Sequence, residues 1–337
     1  MKRKRRYKDK LKLSTCLGGI AYIFLFLTIT TPLVLFFGPY DTTRKIMIST
    51  LLATRHSYLL TDYISQDKIN YLLGTQDESV PTESEIKQDF SQVKVSETNE
   101  NKITKYNIHT NRYDGYILEI KNPKKIKAVM TKYLYKLGQK TSEMAEEHNA
   151  VAAINGGSFV DKSSDGVEYA GTGGEPGGFV ISGGRVIYPE SGYDEHKEEN
   201  VIAFTKNGTL IVGNHTLAEL KKYNVVEAMC FRPPTLIING ARQIKKNDTS
   251  EGLNPRTAVG QKKDGTVIFL VIDGRKILTP GASLYDVQEI MMERGAINAG
   301  FLDGGYSTTM YYKGKVINSP NAWDGERTVA TAFCVEQ

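Results

Sequence analysis

The sequence is poor in the residues that build disulfide scaffolds and zinc sites. It has three cysteines (Cys16, Cys230 and Cys334) and five histidines in 337 residues. No two cysteines form a CxxC motif, and the histidines form neither HExxH nor HxH. These absences exclude a disulfide-stapled fold and a cysteine-based zinc ribbon, and they argue against a zinc hydrolase. For Cys230 and Cys334 two alternatives stay open, a pair of buried thiols or one disulfide of an exported protein.

Motifs for nucleotide, calcium and serine-hydrolase chemistry are also missing. The chain has no GxSxG elbow and no EF-hand loop. Residues 260–266 have the spacing of a phosphate-binding P-loop but lack the lysine before Thr266. The segment GTGGEPGG carries Pro176 where a dinucleotide-binding GxGxxG has its third glycine. These segments are therefore interpreted as turns and loops.

The positive charge of the chain is confined to its N-terminus. Residues 1–12 contain eight lysines and arginines against one aspartate, a net charge of +7. The other 325 residues carry a net charge of −2. Because the basic excess is a local block, the composition does not indicate a nucleic acid partner.

A long uncharged segment follows the basic block. Residues 13–37 include no charged side chain over 25 positions, and about 20 helical residues cross the hydrocarbon core of a bilayer. Basic residues lie almost entirely on the N-terminal side, which orients the N-terminus to the cytoplasm. The pattern predicts one transmembrane signal-anchor helix with the rest of the chain extracytoplasmic. A cleaved signal peptide is the alternative.

Two segments separate this helix from the rest of the chain. Residues 41–74 have apolar side chains at helical spacing and no proline, which predicts a membrane-proximal helical stalk. Its apolar stripe would pair with a second copy in a homo-oligomer or lie on the bilayer surface. Residues 75–102 are rich in Ser, Glu, Gln and Thr, a composition typical of a polar linker.

The pattern changes at residue 103 to short β-branched and aromatic runs separated by glycine, asparagine and aspartate turns. Two amphipathic segments, at about 140–148 and 283–294, predict helices. Strands and helices interleave without strict alternation. Residues 103–337 are therefore predicted to form one α+β domain, a mixed α/β sheet with flanking helices.

Candidate chemistry lies where polar residues follow apolar runs and precede glycines. Three such runs end in Asn155, Asp273 and Asp303. Glycines let the backbone adopt positive φ and let a ligand approach the main chain, and consecutive free N–H groups can bind an anion. The glycines after the first run are Gly156 and Gly157, and those after the third run are Gly304 and Gly305. The hydroxyl residues Ser307 and Thr308 follow the third run.

Charged residues elsewhere complete the candidate set. Arg256 and Arg327 each precede an apolar run, and Glu175 lies in the glycine-rich segment. Arginine suits a bidentate contact with phosphate, and paired carboxylates suit cleavage of a glycosidic bond. Each residue also has an ordinary structural alternative, because an aspartate before glycine is often a turn residue and a single arginine is often a surface ion-pair partner.

The ordered motifs resemble the phosphodiester glycosidase family, whose bacterial members include proteins of exopolysaccharide biosynthesis. The resemblance covers about residues 103–337. The motifs that carry it, in chain order, are AINGGSF, GEPGGFVISGGRVI, NPRTAVGQKKDGTVIFLVIDGR, GASLYDVQEIMMERGAINAGFLDGGYSTTM, GKVINSP and ERTVA.

The resemblance implies hydrolysis of a sugar-1-phosphodiester to a free sugar and a phosphomonoester. It implies catalytic roles for Arg256, Asp273 and Asp303, with the arginine on the phosphate. It also implies substrate contacts for Asn155, Ser307, Thr308 and Arg327. Tyr306 departs from the family pattern, where many relatives have glycine, and its ring would narrow the pocket or stack on a sugar.

The sequence therefore predicts a membrane-anchored extracytoplasmic glycosidase acting on teichoic acid, capsule or exopolysaccharide. No cofactor is required, and a divalent cation held by Asp273 and Asp303 stays open as an alternative. One rival is a glycopolymer phosphotransferase that acts on lipid-linked donors. The other is a non-catalytic exopolysaccharide assembly or binding factor. Sequence gives neither the sugar nor the distance between the carboxylates that separates retaining from inverting chemistry.

Overall fold

A computed structural model describes residues 13–52, 57–73, 87–96, 100–160, 173–246, 248, 251–276, 279–322 and 325–337. The predicted basic segment at 1–12 and most of the predicted linker lie outside these residues. The described helices, numbered in chain order, are α1 (Leu13–Phe37), α2 (Asp41–Leu52), α3 (Tyr58–Thr61), α4 (Gln66–Leu73), α5 (Thr141–Glu147), α6 (Leu217–Lys222) and α7 (Leu284–Glu293).

Helix α1 coincides with the uncharged segment. Its window Leu17–Val34 has a mean hydropathy of 1.9 and is not covered by other parts of the described chain. By length and composition it could serve as a signal anchor or a membrane span.

The helix predicted to run continuously over 41–74 is broken. It comprises α2, α3 and α4, with a turn at 62–65 between the last two. The three helices pack around a small core of their own, made by Ile48, Leu60, Ile69 and Leu72. Part of the apolar stripe is therefore used within the chain, while Leu59 and Tyr63 are exposed, and pairing of the stalk with a second copy stays a prediction.

The remaining described residues form an α+β domain, as predicted, with nineteen strands in four antiparallel sheets. The order in the seven-stranded sheet is β1 (Ile103–His109), β2 (Asp114–Ile120), β15 (Val267–Ile272), β14 (Arg256–Lys262), β16 (Ala296–Leu302), β12 (Ile237–Ile238) and β13 (Ala241–Arg242). The order in one five-stranded sheet is β10 (Leu210–Thr216), β9 (Glu198–Thr205), β11 (Val225–Phe231), β7 (Val180–Ser182) and β8 (Arg185–Tyr188). The order in the other is β18 (Lys315–Val316), β17 (Met310–Tyr312), β4 (Ala150–Asn155), β19 (Thr331–Glu336) and β3 (Ile126–Met130), and a hairpin joins β5 (Phe159–Val160) to β6 (Glu175–Pro176).

The three large sheets meet around one apolar core. Phe204 of β9 and Phe333 of β19 pack edge to face with ring centroids 5.6 Å apart, and Phe269 of β15 belongs to the same cluster. The other face of the seven-stranded sheet is covered by α7, through Val287 and Met291. Because β15 is covered on both faces, its sequence is a continuous apolar run rather than an alternating one.

Part of the predicted linker is structured. Residues 87–96 lie along the domain, where the Gln88 side chain bonds to the Leu210 carbonyl (2.6 Å) and to the Val212 amide (3.0 Å). The Lys94 amide donates to the Lys263 carbonyl at 2.8 Å. A side-chain amide that bonds to the backbone of β10 in this way occupies part of the free edge of the sheet.

Candidate active site

Strand pairing brings the predicted site residues to one end of the large sheet. Strand β14 runs antiparallel to both neighbours, with Arg256 opposite Ile272 and Thr257 opposite Leu302. The start of β14 therefore lies beside the ends of β15 and β16, where Asp273 and Asp303 follow. Asn155, at the end of β4, joins them through a hydrogen bond from the Thr257 hydroxyl.

Asn155 is buried and connects three segments of the site. Its amide nitrogen donates to the Asp303 carbonyl at 2.7 Å. Its oxygen accepts from the Thr257 hydroxyl at 2.7 Å and from the Thr309 amide at 3.1 Å. These bonds fill both acceptor positions and one of the two donors. The geometry favours a positioning role, while the substrate contact expected of Asn155 stays a prediction.

The glycines beside Asn155 are required by other parts of the chain. A Cβ at Gly156 would lie 2.2 Å from the Thr331 hydroxyl oxygen, and one at Gly157 would lie 2.1 Å from the Cys230 carbonyl oxygen. Neither has positive φ. The small size of these glycines therefore allows close packing within the protein. The sequence analysis had interpreted it as room for a ligand to approach the main chain.

The glycines after Asp303 serve a different purpose. A Cβ at Gly304 would lie 2.6 Å from the Pro255 carbonyl oxygen. Gly305 has φ +63°, and its Cα lies under the Arg275 guanidinium, which a Cβ would approach to 3.0 Å. The DGG motif thus turns the chain away from β16 and makes room for an arginine.

Asp303 lies half-buried in a strongly basic environment. Burial raises its pKa, while the Ser307 hydroxyl and the positive charges of Arg327 and Arg232 act in the opposite direction. The Ser307 hydroxyl is itself buried. It lies close enough to the Asp303 carboxyl to lower its pKa. Its oxygen nevertheless makes no hydrogen bond of good geometry within the described chain. A buried hydroxyl without a bond is costly unless a ligand or water completes it.

Three arginines surround this carboxyl. The Arg275 guanidinium lies 4.9 Å from the Tyr306 ring centroid and donates to the Asn254 side-chain oxygen at 3.1 and 3.2 Å. The negative charge of Asp303 raises the pKa of Arg275, although burial lowers it more. The Arg327 guanidinium lies 4.9 Å from the Phe159 ring centroid.

The third arginine, Arg232, follows β11. It forms a bidentate ion pair with Glu251 and lies 5.4 Å from the ring centroids of Phe231 and Phe301. The carboxylates of Glu251 and Asp303 raise its pKa, against the effect of burial. The sequence interpretation missed Arg232, Arg275 and Glu251, of which only Arg275 had a local signal, as the last residue of the IDGR motif.

Arg256 differs from these three because the protein occupies most of its donors. Its Nε donates to the Ala282 carbonyl at 3.0 Å, and its Nη2 donates to the carbonyls of Glu251 and Gly252 at 2.8 Å each. Its Nη1 lies 3.7 Å from the Glu251 carboxylate. Burial lowers its pKa to about 10. The geometry favours a role in holding the loop at 251–254, and phosphate contact by Arg256 stays a prediction.

Asp273 is likewise engaged by the protein. Its carboxylate accepts from the Asn318 side chain at 2.9 Å and from the Ser319 amide at 2.8 Å. Asn318 also donates to the Thr308 carbonyl at 3.1 Å. Burial raises the pKa of Asp273. Asp273 is therefore connected to the segment 304–309 through Asn318, and its described partners differ from those of Asp303.

The remaining predicted residues have other surroundings. Glu175 accepts a hydrogen bond from the Tyr188 hydroxyl at 2.9 Å. The Thr308 hydroxyl, like that of Ser307, is buried without a partner in the described chain. Tyr306 is 39% exposed, so its ring borders the open side of the site.

The described residues contain no preformed cluster of metal ligands. Among the described residues, no three histidine, cysteine, aspartate or glutamate side chains come together in a group that could hold an ion. Cys230 and Cys334 are buried free thiols.

The family and the relatives agree with the resemblance found in the motifs. The model of the phosphodiester glycosidase family matches residues 148–336, more than half of the chain. The bovine N-acetylglucosamine-1-phosphodiester alpha-N-acetylglucosaminidase is 27% identical over 217 residues, which cover 58% of this chain and 38% of that protein. The SPbeta prophage-derived protein YomE of Bacillus subtilis is 40% identical over 83 residues, which cover 24% of this chain and 13% of that protein. The chain thus spans less than two fifths of the length of the curated relatives it matches.

A solved structure supports the fold. The catalytic domain of the zebrafish N-acetylglucosamine-1-phosphodiester alpha-N-acetylglucosaminidase superposes with a TM-score of 0.58 at 20% identity, covering 73% of this chain and 86% of that one. The matched family region contains Asn155, Asp303 and the arginines around it. On the strength of that match, the chain belongs to the phosphodiester glycosidase family.

Proposed function

We propose that this protein is a membrane-anchored, extracytoplasmic phosphodiester glycosidase that hydrolyses sugar-1-phosphodiester bonds in cell-envelope glycopolymers such as teichoic acid, capsule or exopolysaccharide. The observation that carries the proposal is the Asp303 carboxyl, set among Arg232, Arg275 and Arg327. The names of the curated relatives support the same reaction class.

The charge balance of the site supports an anionic substrate. The site contains four arginines (Arg232, Arg256, Arg275 and Arg327) and three carboxyl groups (Glu251, Asp273 and Asp303), which leaves an excess of one positive charge. A phosphodiester has one negative charge and its phosphomonoester product nearly two, so the excess stabilises the product side of the reaction more than the substrate side.

The proposed reaction breaks the bond between the sugar C1 and the bridging phosphate oxygen. The oxygen of water adds to C1, and one of its protons passes to a carboxylate, for which Asp303 is the candidate. The bridging oxygen departs with the phosphomonoester, and Arg275 and Arg327 neutralise the charge that develops there. Because a phosphomonoester is a weak base, electrostatic stabilisation serves this step better than strong acid assistance. Asp273, through Asn318, keeps the segment 304–309 in place.

The N-terminal helix supports the proposed location. Helix α1 is long and apolar enough to span a bilayer, and the basic block before it favours a cytoplasmic N-terminus. An anchor of this kind would hold the site close to polymers that are assembled at the outer face of the membrane.

The test uses the full chain in detergent micelles, with a panel of N-acetylglucosamine-1-phosphodiesters and purified teichoic acid. Free sugar and phosphomonoester are both quantified. We expect equal release of the two by the wild type and a loss of at least about 100-fold in Asp303→Asn. The matched control is Asp264→Asn, which changes a carboxylate in the turn between β14 and β15, at the opposite end of β14 from Arg256.

Two other outcomes would redirect the proposal. Retained polymer binding with no release of sugar would contradict hydrolysis and favour an assembly factor. Release of a lipid-linked phosphate, with no effect on the soluble substrates, would favour a phosphotransferase.

A further inference from the structure

A cavity lies beneath the segment 87–96. It has a volume of about 630 Å³ and is open to solvent on one side. Its walls come from that segment, from the turn between β9 and β10, and from the chain after α6. Six of its lining residues carry the inference: Phe90, Lys94, Lys124, Lys206, Asn207 and Tyr223.

This cavity is separate from the candidate active site. The segment 87–96 bonds to Lys263, and Val95 packs against Gly265, in the turn that joins the end of β14 to the start of β15. The active-site residues lie at the other end of β14, at Arg256. Seven residues of β-strand place the two ends about 20 Å apart.

Among the described residues, no acidic side chain of the lining balances its positive charge. Lys94, Lys124 and Lys206 contribute three ammonium groups, and no aspartate or glutamate is among the lining residues. All three lysines are exposed, and none of them forms an ion pair with another described residue. A concave surface of one charge sign attracts ligands of the opposite sign, since its walls exclude part of the screening solvent.

Neutral groups of the lining suit a carbohydrate. Tyr223 is 40% exposed, and its ring is held edge-on by Phe90 at 5.0 Å and by His215 at 6.2 Å between centroids. A fixed aromatic face offers apolar contact area at little cost in conformational entropy. Asn207, on the exposed turn after β9, adds an amide that can bond to hydroxyl groups.

We propose that this cavity is an accessory binding site for an anionic glycan, in which the lysines contact phosphate or carboxylate groups and Tyr223 contacts a sugar ring. The site would hold a polymer chain about 20 Å from the active site. The inference does not rest on the proposed hydrolysis, because binding is measured without turnover.

The test measures binding of the full chain, in detergent micelles, to a poly(glycerol phosphate) teichoic acid whose glycerol units carry glucose substituents, and to a neutral dextran of matched length. The double charge reversal Lys94→Glu with Lys206→Glu should weaken teichoic acid binding at least 10-fold and flatten its dependence on salt. The matched control reverses Lys105 and Lys315, which are exposed lysines outside the cavity. The control should change the Kd by less than 2-fold.

Two further measurements locate the effect. The loss caused by the lysine reversals should persist in an Arg275→Ala background, in which the active site itself binds phosphate more weakly. Tyr223→Leu should weaken binding of teichoic acid without changing its salt dependence. Equal losses in the control reversal, an unchanged Kd in the Lys94 and Lys206 double variant, or dextran binding as tight as that of teichoic acid would each overturn the proposal.

Discussion

At the scale of single residues, Asn155 is a site side chain whose described hydrogen bonds all go to other parts of the protein. Asn155 donates to the Asp303 carbonyl and accepts from Thr257 and Thr309. It thereby fixes the point at which β16 leads into the segment 303–309. If Asp303 acts in catalysis as proposed, Asn155 acts through the position of that aspartate.

We expect Asn155→Ala to destabilise the fold by about 2–4 kcal/mol, because three buried backbone or hydroxyl groups would lose their partner. Urea unfolding of the full chain in detergent measures this loss. Asn155→Asp, which keeps the acceptor oxygen but loses the donor to Asp303, should be destabilised less at acidic pH than at neutral pH. A loss of activity in Asn155→Ala with unchanged stability would instead point to direct substrate contact.

Arg275 and Arg256, which lie at the same end of the large sheet, should have different roles. Arg275→Lys is expected to raise KM or lower kcat/KM about 10-fold or more with little change in Tm, because lysine cannot reproduce a planar bidentate contact or the stacking on Tyr306. Arg256→Met is expected to lower the free energy of unfolding by at least about 2 kcal/mol, because the carbonyls of Ala282, Glu251 and Gly252 lose their donor. Steady-state kinetics and thermal unfolding of both variants provide the comparison. The reverse assignment of effects would restore Arg256 as the phosphate ligand.

Protonation of Asp303 should cause the fall of kcat/KM on the acid side of the pH–rate profile. Because burial raises its pKa above the ordinary value of about 3.9, kcat/KM should fall with decreasing pH at a midpoint above that value. Arg327 lowers this pKa, so Arg327→Gln should move the midpoint to still higher pH. A pH–rate profile of both proteins checks the direction. A midpoint that moves to lower pH in Arg327→Gln would show that another group controls this fall.

The same shift has a consequence for stability. A carboxyl with a raised pKa in the folded protein binds protons more tightly there than in the unfolded chain. The stability it contributes is therefore greatest at low pH and is lost as the pH rises through its folded pKa. At neutral pH, Asp303→Asn should accordingly unfold at a temperature equal to or above that of the wild type, so its loss of activity cannot be attributed to misfolding.

At the scale of elements, the helical unit α2–α4 reaches the active-site loop. The Leu253 amide donates to the Thr50 hydroxyl of α2 at 3.2 Å, and a Cβ on Gly252 would lie 2.6 Å from the Thr50 amide nitrogen. The same loop provides Glu251, the partner of Arg232, and two carbonyls that bond to Arg256. Helix α2 therefore contacts the loop that binds Arg232 and Arg256, and through this loop it supports the arginine cluster.

Gly252→Ala should disturb that support. Gly252 has φ +58°, so the substitution combines backbone strain with a clash against Thr50. Gly183→Ala is the matched control, because Gly183 has φ +57° and nothing within 4 Å of an added Cβ. Both variants should lose about 1 kcal/mol from the strain, and only Gly252→Ala should also raise KM severalfold. Equal KM values in the two variants would show that α2 does not influence the site.

Sequence predicted the elements whose signals are local. The amphipathic spacing over 283–294 predicted a helix, and α7 (Leu284–Glu293) occupies that segment, with a Ser283–Asp286 capping box at its start. The docking of residues 87–96 depends on distant partners such as Leu210 and Lys263, which polar composition alone does not show. The break in the stalk accompanies packing of its helices through Ile48, Leu60 and Ile69, which helical spacing alone does not show. For the same reason the motifs offered Asp303 as a site candidate, which stays a prediction, but did not reveal Arg232, which follows β11 in another sheet and whose charge lowers the pKa of Asp303.

At the scale of the whole molecule, the domain core and the N-terminal helices are separate apolar clusters, since Ile48, Leu60, Ile69 and Leu72 pack with one another. A chain that begins at residue 87 should therefore fold. It lacks Thr50, so it should show the same rise in KM as Gly252→Ala while its Tm stays close to that of the full chain.

A chain that begins at residue 103 should differ from it in stability. This chain also loses Gln88 and Lys94, whose bonds to Leu210, Val212 and Lys263 cover strand β10 and the turn after β14. Three hydrogen bonds worth about 1 kcal/mol each, at about 2–4 °C per kcal/mol for a domain of this size, predict a Tm lower by about 6–12 °C than that of the chain from 87. The accessory cavity loses Phe90 and Lys94 with the same cut, so teichoic acid binding should weaken in parallel. If the two truncated chains had equal Tm and equal affinity for teichoic acid, residues 87–96 would be a linker after all, as their composition first indicated.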